Sequence, residues 1–187
     1  MTRNEALNLL HKHLKNENLR RHCYAVEAVM RALAKRLNGN PDSWGIAGLL
    51  HDMDHETTKD RPGEHTHKAL EWLKKYEVET TITDAILAHG WGYVDGNPKP
   101  EGKMQWALYC ADELTGFIVA VALVKPDKKL SSVTVDSIKS KWGQKAFARG
   151  VHREQIEMCE NTLGVPLNEF IEIALNAMQE IHEDLGL

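Results

Sequence analysis

Apolar residues recur along this chain at every third or fourth position and almost nowhere at every second one, a period that predicts helices. Leu7, Leu10 and Leu14 form the first stripe, and Thr2 with Glu5 opens it in the spacing of a capping box. Val26, Val29, Leu33 and Leu37 predict a second helix over about 18–37, stopped by Asn38-Gly39-Asn40-Pro41. Pro41 suits the first turn of a third helix, which runs through Trp44 and Leu49 into His51 and Asp52. Further helices are predicted over about 64–76, 81–89 and 103–124, the last apolar through Phe117, Ile118, Val119 and Val121. Residues 90–102 read as a loop. Two final helices, at about 153–163 and 166–184, part at Gly164 and resume at Pro166. Val133-Thr134-Val135 is the sole hint of a strand, and no internal repeat is visible. The expectation is an all-α helical bundle forming a single domain over 1–187, with a core at about 18–120 and additional C-terminal helices over about 125–187.

Composition narrows the function. A net charge of -4 and a pI near 6.2 argue against general nucleic-acid binding, which usually needs a basic domain. Cys23, Cys110 and Cys159 are an odd number without CxxC spacing, which suggests a reducing compartment. The N-terminal stretch is charged throughout, and nowhere do about 18 apolar residues run consecutively, so neither a signal peptide nor a membrane span is expected. A cytoplasmic protein fits best. Charge is unevenly distributed: residues 125–153 hold eight Lys or Arg against Asp127 and Asp136, a local +6 within a chain of net -4. Such runs are most often solvated faces.

The informative residues are polar ones on apolar faces. Extending the second helix's stripe back four positions from Val26 reaches His22. His51 and Asp52 end an apolar run. Ile82, Ala85 and Ile86 share a face with His89, and Leu108, Tyr109, Thr115 and Val119 surround Asp112 at helical spacings. A buried, unpaired charge costs several kcal/mol, comparable with a small domain's stability, so these groups need compensation. One divalent metal site would supply it, because imidazole and carboxylate bind first-row ions and the cation carries the missing charge. His51 and Asp52, about 100° apart on a helix, can approach one ion from two sides, or Asp52 can bridge two. His65 and His67 begin the predicted helix over 64–76, and His65 with His89 would complete a second site. Taken singly each histidine has a structural reading, and Asp112 has the alternative of pairing with Arg20 or Arg21. His11, His13 and His55 read as solvated, His152 and His182 as surface positions, and the five tryptophans as packing residues.

The ordered set His22, His51-Asp52 and Asp112 on successive helices resembles the HD-domain superfamily of metal-dependent phosphohydrolases, over about residues 18–120. Ala47-Gly48-Leu49-Leu50-His51-Asp52 is similar to the superfamily's "aaLLHD" signature, Arg21-His22 opens a helix as its first histidine does, and Ala111-Asp112 is similar to its closing "AD". Glu64-His65-Thr66-His67-Lys68-Ala69-Leu70 and Ala88-His89-Gly90 resemble the extra ligands of the two-metal branch, which includes HD-GYP cyclic dinucleotide phosphodiesterases and symmetrical diadenosine tetraphosphate hydrolases. Ala69, four positions on, favours His65 over His67. Met53-Asp54-His55-Glu56 stands where HDIG members continue, and no GYP motif occurs, which argues against cyclic-di-GMP hydrolysis.

The resemblance implies an HD-like fold and one or two divalent ions (Fe, Mn, Mg, Ni or Co) held by His22, His51, Asp52, His65, His89 and Asp112. It implies hydrolysis of a nucleotide or another small phosphate ester by a metal-activated water. Asp52 and His51 would be central, Asp54 or Glu56 would orient the water, and Lys103, Lys145 and Arg149 are the candidates for phosphate contacts. Two alternatives use the same ligands: a mixed-valent di-iron oxygenase similar to myo-inositol oxygenase, and a non-catalytic ligand-binding module that keeps a metal.

Overall fold

The computed structural model describes residues 1–187, whose regular structure is all helical, with no strand. Helix α1 (Arg3–His13) begins at the expected capping box: Thr2 Oγ1 accepts the Glu5 N–H, and Glu5 accepts the Thr2 N–H at 2.7 Å. Asn16 caps α2 (Glu17–Leu37), and Asn38 ends it in the left-handed region with φ 59°. Asn40 caps α3 (Pro41–Leu50), whose first residue is Pro41. Then come α4 (His55–Thr58), a 3-10 turn at Pro62–Glu64, α5 (His67–Leu73), α6 (Thr80–His89) and α7 (Lys103–Leu123). A second 3-10 turn at Leu130–Ser132 precedes α8 (Val135–Trp142), α9 (Arg153–Leu163), α10 (Leu167–Glu180) and the short α11 (His182–Leu185).

Several boundaries differ from the pattern. The helix expected over 64–76 shrinks to α5 because Thr66 takes φ 68°, a conformation a helix cannot contain, and His65 therefore lies before the helix. The strand hint at 133–135 is the entry to α8, where Thr134 and Ser137 form a capping box that outweighs the β-branched run. Ile181, at φ -113°, separates α10 from α11 where one helix was expected.

Helices α2 and α7 run through the middle. α2 packs on α3, α7 and α10, while α7 packs on α6 and α9 as well. α7 alone is long and apolar enough to suit a membrane, but 67% of its most apolar window is buried inside the bundle. Its hydropathy is thus accounted for by core packing. A single apolar cluster runs from Ala6 in α1 to Leu185 in α11.

The α2–α3 contact determines where His51 lies relative to His22. Trp44 through Leu50 are all buried, and Gly48 lets the helices approach closely: a Cβ there would lie 2.9 Å from the Val26 carbonyl oxygen and 3.0 Å from Met30 Cγ. At the other end of α3, buried Glu27 binds Arg3 at 2.6 Å and Arg31 at 3.0 Å, and Arg31 reaches Asp42 at 2.8 Å. This network ties the starts of α1 and α3 to α2. Gly48→Ala should therefore push α3 off α2 at a cost of about 1–3 kcal/mol, with each kcal/mol lowering Tm by roughly 2–4 °C. Thermal melting of the metal-free variant measures this, and an unchanged Tm would contradict the tight-contact account.

Candidate metal centre

Five segments bring their polar side chains to one point. His22 comes from the second turn of α2, His51 and Asp52 from the end of α3, and His65 from the turn before α5. His89 is the last residue of α6, and Asp112 lies midway along α7. His22 Nε2 is 2.9 Å from Asp112 Oδ1 and 3.2 Å from His51 Nε2, and His51 Nε2 is 3.4 Å from the same Asp112 oxygen. A second group lies beside it: His65 Nε2 is 3.1 Å from His89 Nε2, and the two are 3.4 and 3.5 Å from Asp52 Oδ1. Asp52 joins the groups, since its Oδ2 faces His51 at 3.7 Å and His22 at 3.8 Å.

The other ring nitrogens explain why the Nε2 atoms converge. His51 Nδ1 donates to the Gly48 carbonyl at 2.8 Å, His89 Nδ1 to the Ile86 carbonyl at 2.6 Å, and His65 Nδ1 to Asp54 Oδ1 at 2.8 Å. The Thr115 hydroxyl donates to the Asp112 carbonyl at 2.9 Å and accepts from His22 Nδ1 at 3.3 Å. With Nδ1 protonated in each neutral ring, all four Nε2 lone pairs point inward. Two such lone pairs 3.1–3.2 Å apart repel unless a proton or a cation lies between them. Donors about 2.0–2.2 Å from one ion in tetrahedral or octahedral array stand roughly 2.9–3.5 Å from each other. The distances within each group fit that spacing, and the Nδ1 anchors are the supporting hydrogen bonds that metal-bound histidines normally carry.

Electrostatics without an ion agree. Burial favours the neutral ring of His51, but the Asp52 and Asp112 carboxylates outweigh it and raise its pKa to about 9. Burial opposes ionisation of both carboxyls, yet His51, His89, His22 and His65 hold Asp52 well below the usual carboxylate range. His22 and His51 do the same for Asp112. Burial lowers His89. In the absence of metal, one trapped proton does part of the cation's work.

Beside the cluster opens a cavity of about 420 Å³ with Asp52, Asp112, His65 and His89 in its wall. Lys59 is its one basic aliphatic side chain, and Tyr93 and Glu113 line another part of the wall. Tyr93 donates to Gln155, and Glu113 accepts the His152 N–H at 2.9 Å. The loop carrying Tyr93 is tied down by Asn97, whose Nδ2 donates to the Leu87 carbonyl at 2.8 Å and to Thr66 Oγ1 at 3.0 Å. Gly90 is required there, because a Cβ would lie 2.4 Å from that amide nitrogen. Another cavity, of about 410 Å³ between Arg3, Tyr24 and Ile181, has no such cluster.

The six residues read as ligands thus share one locus, and His67 is exposed away from it. Other candidates are displaced. Asp54 is fully buried with both oxygens engaged, by His65 and by the Ala69 N–H at 2.9 Å, so it orients a histidine rather than a water. Glu56 caps the Lys15 and Asn16 N–H groups at 2.6 and 3.2 Å. Lys103, Lys145 and Arg149 do not line the cavity. Lys103 is nine residues before Asp112, roughly 13 Å along α7, and the other two lie beyond α8. Arg20 donates to the Leu14 and His11 carbonyls, not to Asp112. His13 stacks on Trp72 and His11 bonds Tyr24, so neither is simply solvated. His55, half exposed, faces Asp52 Oδ2 at 3.7 Å and was missed. Its i,i+3 spacing from Asp52, and that of Lys59 four residues on, were the available signal; nothing local pointed to Tyr93 or Glu113.

Residues 19–109 match the family described as HD domain. The ribonuclease Y of Sulfurovum sp. (strain NBC37-1) is 29% identical over 99 residues, that of Aliarcobacter butzleri (strain RM4018) 30% over 99, and that of Streptococcus agalactiae serotype III (strain NEM316) 27% over 99. Each match takes in 53% of this chain and 18% of the relative, so the chain spans less than a fifth of the length of these relatives.

His51 titrates above the ordinary 6.5, so its contribution to metal-free stability is complete below about pH 6.5 and lost as pH rises through about 9. Asp52 and Asp112 titrate low, and their contribution is present above roughly pH 4 and lost in acid. The metal-free protein should therefore melt at a lower temperature at pH 9 than at pH 6.5. Metal uptake near pH 7.5 should release a proton as His51 becomes a ligand, read by calorimetry in two buffers of different ionisation enthalpy. Heats that do not depend on the buffer would contradict this. Asp54→Asn, which weakens the anchor of His65, should lower affinity for one ion by about 10–100-fold and spare the group around His22, as metal titration would reveal.

Proposed function

Because residues 19–109 match the HD-domain family, whose members are generally metal-dependent phosphohydrolases, we propose that this chain hydrolyses a small phosphate ester at the Asp52-centred cluster. The observation that carries the proposal is the pair of Nε2–Nε2 contacts, 3.2 and 3.1 Å, flanking one shared carboxylate. His22, His51, Asp112 and Asp52 would hold one divalent ion, and His65 and His89 with Asp52 a second. Bound ions of this kind supply Lewis acidity and lower the pKa of water toward neutrality. Iron, manganese, magnesium, nickel and cobalt all suit imidazole and carboxylate donors.

The chain's own residues do the rest. Lys59, free of any carboxylate partner and lining the cavity, draws phosphoryl oxygens toward the cluster. His55 differs from the four anchored rings: its Nδ1 faces Asp52 and the ring is open to the cavity, so it is the ring able to exchange a proton with a leaving oxygen. Tyr93 and Glu113 position the ester from another part of the wall. The ribonuclease Y relatives make phosphodiesters the first class to assay, with nucleotides and aryl phosphates beside them.

Elemental analysis of the purified protein, followed by a phosphoester panel with the metal found, tests this. Asp52→Ala should abolish metal loading and turnover. Lys59→Met should raise KM roughly 10–100-fold, the worth of a charge-assisted contact of about 1.5–3 kcal/mol. Full activity in Asp52→Ala, or turnover that consumes dioxygen and depends on iron, would displace the hydrolytic reading.

A further inference from the structure

One part of the cavity beside the cluster is set by a residue that does not line it. Gln155 lies in the first turn of α9, beyond the residues 19–109 that match the family, and is 2% exposed. Its Nε2 donates to the Tyr109 carbonyl at 2.5 Å, and its Oε1 accepts the Tyr93 hydroxyl. The carbonyl fixes which end of the amide is which, because only an N–H can face it and only the oxygen is then left for Tyr93. Tyr93 therefore gives its single proton to Gln155. Burial and the Glu113 carboxylate push that phenol above its ordinary 10, so the proton stays on it.

The consequence lies on the cavity wall. Tyr93 Oη stands 3.5 Å from Glu113 Oε1, and both residues line the cavity. Glu113 Oε2 takes the His152 N–H at 2.9 Å, and the His152 ring braces Tyr93 edge-on, with ring centroids 5.4 Å apart. Two oxygens thus stand side by side with the tyrosine proton turned away from both, toward Gln155. An O–H or N–H brought by a ligand can donate to the pair, whereas a methyl group would take the same oxygens out of water and leave them unpaired.

We propose that Gln155 is a positioning residue that holds Tyr93 as a hydrogen-bond acceptor beside Glu113, and that this pair selects phosphate esters whose alcohol part carries a donor hydrogen. The proposal rests on the phosphohydrolase reading and adds a rule of selection to it. Lys59 draws the phosphate, and the Tyr93–Glu113 pair reads the alcohol. The C-terminal helices thereby take part in the site, since Gln155 and the His152 N–H both come from the start of α9.

Binding tests this without turnover. Hydroxyethylphosphonate and hydroxypropylphosphonate, hydroxylated at the chain end, are titrated by calorimetry into the Mn²⁺-loaded protein beside ethylphosphonate and propylphosphonate, which carry the same anion and lack the hydroxyl. Wild type should bind one hydroxylated probe about 5-fold or more tightly than its alkyl partner, as one added hydrogen bond allows. Gln155→Met, similar in length and unable to accept the phenol proton, lets that proton turn toward Glu113 and should bring the ratio below about 2. Tyr93→Phe, at a residue 49% exposed, should do the same, and it decides the point should Gln155→Met fail to fold. A loss of packing alone would weaken both members of a pair alike and leave the ratio unmoved. Ratios near one in wild type for both pairs, or an undiminished ratio in either variant, would overturn the proposal and leave the metal-centre reading intact. Failure of all four phosphonates to bind the metal-loaded protein would overturn both.

Discussion

Four imidazole lone pairs and two carboxylates directed at one point form the constraint on which the rest of the molecule depends. Such a group is unfavourable uncompensated, because lone pairs directed at each other at 3.1–3.2 Å repel and partly buried carboxylates lose hydration. Without metal, the structure meets the cost partly through a proton on His51. Divalent ions would supply the missing positive charge at the same point. The anchors at the Gly48 and Ile86 carbonyls, at Asp54 and at Thr115 show that the rings are oriented in advance.

That orientation is a property of helix packing. His51 can meet His22 only because α3 lies hard against α2, and it does so through small residues: Gly48 on the contact, with Ala47 beside it. The apolar run before His51 therefore has two roles, filling the core and reducing the distance between helix axes. Asp112 reaches the same point from α7, whose apolar character is explained by its place at the centre of the bundle. The centre is thus held from the core outward, and its precision derives from close-packed helices rather than from loops.

Most of this was legible in the sequence because the relevant signals are periodic. His22, His89 and Asp112 betrayed themselves as polar residues on apolar stripes, and the Thr2 and Pro41 helix starts were readable from their chemistry. What stayed hidden depends on tertiary contact. The turn that presents His65 needs Thr66 at φ 68°, which no local pattern announces for a threonine. Lys103 starts α7 and Lys145 and Arg149 belong to the basic segment that follows it, but adjacency in sequence is not adjacency in space, and Lys59 stands in the cavity instead. Asp54 and Glu56 carried the right functional group, yet one supports a ligand from beneath and the other binds the backbone of the link between α1 and α2.

Asn97 has a bearing on how the cavity admits a guest. By seizing the Leu87 carbonyl and Thr66 under a glycine that cannot obstruct it, this amide welds the Tyr93 loop to the same helix end that supplies His89. The opposite margin, residues 59–63, is exposed throughout, and Gly63 has no neighbouring atom within 4 Å of where a side chain would begin. The mouth is therefore bordered on one side by a loop bonded into the bundle and on another by Lys59 and Pro62, which belong to an exposed segment where side chains can be exchanged without meeting the core.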